Sequence, residues 1–223
     1  MRIVAPEFSI DLVCDHKKPV TCVIENRSIF SGFTYDLWQQ GTGRLGSVIL
    51  SENDNILDFD KTAEVILNPF AVNLNDKKIL AALYKELKEI GTECYYEQVF
   101  SLNSYMVDLI DTIGQHIDYK ISFDMDLDLK NIFKLYNVKL DEESDDILYR
   151  LLSYVKCLHR ICGTKLVIVV NLQMYLDRIQ IQEFFKECRY EEIAVLDIEA
   201  VDFGKHENEN YVIIDKDMCT IEL

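Results

Sequence analysis

The chain has 223 residues and a mass of 26.0 kDa, with 49% hydrophobic and 11% aromatic residues. That length makes one large domain, or one domain with a sizeable insertion, and that apolar content excludes global disorder. The 23 Lys and Arg against 39 Asp and Glu leave a formal net charge of −16, spread along the chain, which taken alone argues against the basic footprint of a non-specific nucleic-acid binder.

The exception is an acidic protein whose basic groups line one surface, or one bridged to phosphate by cations. Gly and Pro together number 11, so tight turns are few and long helices are expected. No apolar run approaches the ~20 residues of a membrane span. The start, MRIVAPEFSIDLVCD, lacks a basic region followed by a long apolar one and is not read as a signal peptide. Seven cysteines, an odd number in a long chain, are expected as reduced thiols in the cytoplasm.

In chain order, residues 7–14 and 20–24 read as short strands. Asn26 is a good helix cap, and a helix to Trp38 or Gln40 is expected after it. Gly41–Ser47 turns the chain, and 47–51 is a third strand candidate. Residues 55–75 are mixed and are interrupted by Pro69. Asp76 can cap a helix reaching about Ile90, with Gly91-Thr92 expected to end it. Residues 96–117 carry an apolar stripe at helical spacing. Short and long helices are expected near 128–136 and 145–162, closed by Gly163. Lys165–Val170 and Ile193–Ile198 read as strands buried on both faces, with a helix near 177–188 between them. Tyr211–Asp215 and Cys219–Leu223 read as terminal strands. The β-rich ends are expected to share one α/β sheet, with a helical projection inserted over about 70–150.

Gly41-x-Gly43-x-x-Gly46 has the dinucleotide fingerprint in the wrong context, after a helix and before a strand. The strand–helix step at 20–40 is where a nucleotide-binding fold carries its phosphate loop, but Ile24-Glu-Asn-Arg-Ser28 has neither a Gly-rich loop nor a Lys-Ser/Thr pair. The strand 167–170 ends at Asn171, where a magnesium-binding Asp would be expected. The four histidines have no metal or triad spacing, and no serine sits in a GxSxG elbow.

Phe123-Asp124-Met-Asp126-Leu-Asp128-Leu129 is the best chemical feature. On extended chain its three carboxylates share one face, which suits a hard cation such as calcium. Asp141, Glu142, Glu143, Asp145 and Asp146 could complete a site. The alternative is a solvated face with Asp128 and Asp145 as helix caps. Lys156 and Arg160 on the long helix, and Lys130 and Lys134 on the short one, read first as an ordinary solvated face, with phosphate contact as the alternative.

Five segments carry a resemblance: Val23–Ser31, Glu64–Asn73, Asn137–Asp141, Lys165–Asn171 with Tyr175-Leu176 beyond, and Tyr211–Asp215. Their order and spacing resemble the small accessory protein of type II-A CRISPR systems, the second Csn family, needed for acquiring new spacers. The resemblance implies an α/β fold: a degenerate P-loop-ATPase-like head domain (1–70 plus 163–223) with an inserted α-helical leg domain (71–162). It further implies a non-catalytic homotetrameric ring that binds calcium and threads linear double-stranded DNA through a positively lined hole. The implied partners are the integrase proteins and the effector nuclease, with no nucleotide and no membrane. Asp124, Asp126 and Asp128 fall in the stretch corresponding to the family's calcium region. The rival readings are a purely protein-binding scaffold of the adaptation complex and a divergent nucleotide hydrolase.

Overall fold

The computed structural model describes residues 1–141 and 144–223. The chain divides into two compact units, residues 1–74 with 141–223, and residues 75–140.

The first unit is α/β. Its main sheet has six strands: β3 (Val20–Ile24), β6 (Ala63–Ile66), β7 (Leu166–Val170), β8 (Ala194–Glu199), β9 (Asn210–Ile214) and β10 (Thr220–Glu222). They lie in the order β10-β9-β3-β8-β7-β6, all parallel except β10. The N-terminal and C-terminal portions therefore do share a sheet. Leu166–Val170 and Ala194–Glu199 are buried at every position, as the β-branched runs predict.

A second, antiparallel sheet holds β1 (Arg2–Ala5), β2 (Ile10–Val13), β4 (Ile49–Glu52) and β5 (Asn55–Ile56), in the order β2-β1-β4-β5. This corrects the expected strand at 7–14. Pro6–Phe8 is a 3-10 turn, and Arg2–Ala5 pairs back on Ile10–Val13 as a hairpin. Proline at the first turn position removes a ladder donor there, so the strand breaks in two. The third strand candidate forms, shifted to Ile49–Glu52, but in this second sheet.

Helix α1 (Arg27–Gly41) starts where expected: the Asn26 side chain accepts from the backbone N–H of Ser28 and Ile29, at 3.0 and 3.3 Å. Such a cap contributes about 1 kcal/mol. One face of the main sheet packs with α1 and the second sheet around Phe33, Leu37, Ile3, Ile24, Ile168 and Leu196. The helix α2 (Phe59–Thr62) leads into β6, the strand hidden in the mixed stretch. On the opposite side lie α6 (Ile147–Cys157), capped by Asp146 rather than Asp145, and α7 (Arg178–Tyr190). A π-helical turn at Leu158–Cys162 extends α6, and Gly163 ends it with φ of 74°, a left-handed conformation that glycine adopts without strain.

The second unit is helical: α3 (Lys77–Cys94), α4 (Tyr96–Gly114) and α5 (Leu129–Leu135). Asp76 caps α3 as expected. Gly91, however, does not end it. A Cβ at Gly91 would come within 2.6 Å of Leu129 Cδ1, so the residue is small because α5 crosses there, not because the helix stops. Tyr84 and Phe133 rings lie 5.9 Å apart, and Tyr84 donates to Val138 O at 2.9 Å. Asn75 closes the unit, bonding both the N–H and the C=O of Leu140. Among the described residues no helix is long and apolar enough to cross a membrane.

Candidate nucleic-acid interface

The structure treats the two pairs of candidate cations differently. Lys156 lies 2.7 Å from Glu187 and 3.6 Å from Glu191, and Arg160 bonds Glu191 through two nitrogens, at 3.2 and 2.7 Å. Both residues are therefore neutralised, by Glu187 of α7 and by Glu191, the residue that caps its C-terminus. The Arg160 guanidinium holds the Glu191 carboxyl below its usual value, and the Glu187 carboxylate raises Lys156. A phosphate would have to displace these partners, so the polar face of α6 fastens α6 to α7. Glu191→Gln should lower Tm at neutral pH, and the loss should vanish in acid. Glu191 has a depressed folded pKa, so its stabilising effect is present above about 4.5 and lost as pH falls through the folded value. Thermal unfolding at pH 7 and pH 3.5 checks this, and a pH-independent loss would mean that packing, not charge, is what the change removes.

Lys130 and Lys134 lie one turn apart on α5, half-buried and exposed respectively. Helix α3 adds a feature not singled out from sequence. Lys77, Lys78, Lys85 and Lys88 are all exposed, and at about 100° per residue they fall within an arc of about 100°. Glu86, Glu89 and Glu93 occupy the next arc, and Ile79, Leu80, Leu83, Tyr84 and Leu87 the third. Lys85 approaches Glu89 at 3.9 Å with both side chains well exposed, a weak pair. The signal was the spacing i, i+1, i+8, i+11, masked in the primary structure by the interleaved glutamates.

The aspartates do not form a ready cation site. Asp128 Oδ1 accepts from Lys88 Nζ at 3.1 Å and from the Lys130 backbone N–H at 3.2 Å, as the cap of α5. Lys88, more than the cap, depresses its pKa. Asp124 and Asp126 are exposed on irregular chain. Among the described residues no group of three or more His, Cys, Asp or Glu side chains is placed to hold a metal ion. Glu142 and Glu143 of the second acidic cluster lie outside the described residues.

At the place of a phosphate loop, β3 and α1 are joined by Glu25 and Asn26 alone. The helix-start N–H groups of Ser28 and Ile29, which would cradle phosphate, bond Asn26 instead. The neighbouring cleft of about 490 Å³ mixes Glu25 and Asp202 with Arg27 and Lys216. Asn171, at the end of β7, bonds the N–H of Ala200 and the C=O of Ile198, tying β7 to β8.

These features define an α/β protein without phosphate-loop chemistry at its strand–helix step, carrying a lysine-faced helical unit. The family model described as CRISPR-associated protein (Cas_Csn2) matches residues 40–218, and the chain belongs to that family. It is an accessory family of type II-A CRISPR adaptation and not a known enzyme family. No curated protein matches the chain.

Proposed function

We propose that the protein is a non-catalytic homotetrameric ring that binds the ends of linear double-stranded DNA during spacer acquisition, alongside the integrase proteins and the effector nuclease. The observation that carries the DNA reading is the lysine arc of α3, a concentrated positive surface in a chain of net charge −16. Lys130 and Lys134 on α5 extend the candidate surface; Lys156 and Arg160, already paired, are withdrawn from it.

The first unit is proposed as a degenerate P-loop-ATPase-like head and residues 75–140 as its leg. Support comes from β3 standing inside a parallel sheet and feeding α1, where a phosphate loop would sit. Support for self-assembly comes from α4, in which no residue is buried although Leu102, Met106, Leu109 and Ile113 repeat at 4-3-4 spacing.

The test is a gel shift of a linear duplex against a covalently closed circle of the same sequence, with and without calcium. A shift of the linear form alone supports end-threading through a closed ring. Equal shifts contradict threading, and no shift of either moves the reading to a protein-binding scaffold. Loss of the linear shift when calcium is chelated would support calcium dependence, and an unchanged shift would remove it.

A further inference from the structure

Within the first unit, under the C-terminal edge of the main sheet, lies a polar network that nothing in DNA binding requires. Asp197 and Glu199 alternate on one face of β8, and both are fully buried, at 0% exposure. Gln173, in the 3-10 turn after β7, donates its backbone N–H to Glu199 Oε1 at 2.8 Å and its Nε2 to Asp197 Oδ2 at 3.3 Å. Its Oε1 pairs with His206 Nε2 at 3.0 Å, which places a proton on Nε2, and burial lowers the His206 pKa, favouring the neutral ring. The His206 backbone N–H reaches Glu209 Oε1, and Thr21 of β3 donates to Glu209 Oε2 at 2.6 Å. Asp197 Oδ1, Glu199 Oε2 and His206 Nδ1 are buried without a hydrogen-bond partner.

Orphaned carboxylate oxygens are costly in a dry interior unless protonated or paired with a cation. Among the described residues, the groups facing this pair supply no such cation at bonding distance. From β3 come Thr21 and the apolar Val23, opposite Asp197 and Glu199; from the turn, the neutral Gln173 amide; from β7, the apolar Val169. The 200–209 segment contributes neutral His206 and the carboxylate of Glu209, with Asp202 bonded to Tyr211 of β9. Arg178 of α7 is positive, but it acts on His206 and bonds Lys205 O at 3.0 Å.

We propose that Asp197 and Glu199 share a proton that keeps the Gln173 turn and the 200–209 segment closed on the sheet edge, making that edge a pH-responsive latch. A proton between the carboxyls gives an orphaned oxygen a partner. When it leaves, two adjacent negative charges remain buried beside Glu209, and the segment must open to hydrate them. Ala200, Val201 and Asp202 line the cleft that also holds Arg27 and Lys216, so opening would alter that cleft. Burial pushes Asp197 well above the ordinary carboxyl range, and Glu199 up to about 7. Because these folded values are raised, the stability the pair supplies is complete below about 4.5. It is lost as pH rises through about 7.

The experiment is thermal unfolding of the full chain from pH 5.5 to 8.5, together with hydrogen exchange corrected for intrinsic rate. Wild type should lose roughly 5 °C of Tm across that range, and amides in 200–209 should become less protected at the alkaline end. Glu199→Gln keeps the acceptor for the Gln173 N–H and cannot ionise. It and Asp197→Asn should flatten the profile and exceed wild-type Tm at pH 8.5. Glu183→Gln, an exposed change on α7, should follow wild type. If Asp197→Asn does not fold, Glu199→Gln alone decides. A flat wild-type profile, or a Glu199→Gln profile as steep as that of Glu183→Gln, overturns the proposal.

Discussion

Changing Lys77, Lys78, Lys85 and Lys88 together to glutamine is expected to remove most DNA binding while leaving the fold intact. Each lysine that neutralises a phosphate contributes about −0.9 to the slope of log affinity against log salt. Loss of the whole arc should therefore flatten that slope by roughly 3 to 4, and lower affinity at 0.15 M salt by at least about tenfold. All four side chains are exposed, and Lys77 and Lys88, which border Tyr84 around α3, keep an aliphatic stem as glutamine, so the buried face with Ile79 is unchanged. Lys88 also neutralises Asp128, and that exposed pair contributes little to stability. Titration by fluorescence anisotropy at several salt concentrations gives the slope, with far-UV circular dichroism as the folding control. In parallel, Lys156→Gln with Arg160→Gln should leave the slope unchanged and lower Tm. A reversal of the two outcomes would place the DNA surface on α6 rather than α3.

The second large effect is expected on α4. Met106→Glu with Leu109→Glu should convert a tetramer of four 26.0 kDa chains into monomers. Leu102, Met106, Leu109 and Ile113 fall within an arc of about 60°, with exposures between 40% and 60%, while Glu97, Asp108 and Asp111 occupy the other side of the helix. A seam of that spacing on a helix with no buried residue gains stability only when another surface covers it. A buried glutamate in such a seam costs several kcal/mol, enough to break an assembly without unfolding a chain that already exposes those positions. Light scattering and sedimentation distinguish the states. A double variant that stays tetrameric would move the self-contact off α4, and a wild-type monomer at micromolar concentration would remove the ring. A ring that dissociates while DNA still binds would separate assembly from recognition.

Some of this architecture was legible because it rests on local rules. Asn26, Asp76 and Asp128 cap the helices that follow them, since short polar side chains bond helix-start N–H groups wherever the chain places them. The β-branched run at Leu166–Val170 announced a doubly covered parallel strand. The missing phosphate loop needed no coordinates, because it depends on which residues lie between β3 and α1.

Other features depend on neighbours distant in sequence. Gly91 reads as a helix stop, yet α3 runs on to Cys94, because the glycine accommodates Leu129, 38 positions away. The polar faces of α6 and α3 look alike in one dimension. Their roles separate only when Glu187 and Glu191 fold against Lys156 and Arg160. That Lys88 reaches Asp128 from another helix is likewise invisible in one dimension.

Composition, caps and hydrophobic periodicity by themselves determined the class of fold and the order of most elements, because these are properties of contiguous residues; the family came from the ordered resemblance of five segments and the match over residues 40–218. Pairing decided the rest: which cations meet acids of another element, which glycine marks a crossing, and that Gln173 joins Asp197, Glu199 and His206 in one buried network. Electrostatic and hydrogen-bond energies depend on distance and burial, and both are set only when the chain closes on itself.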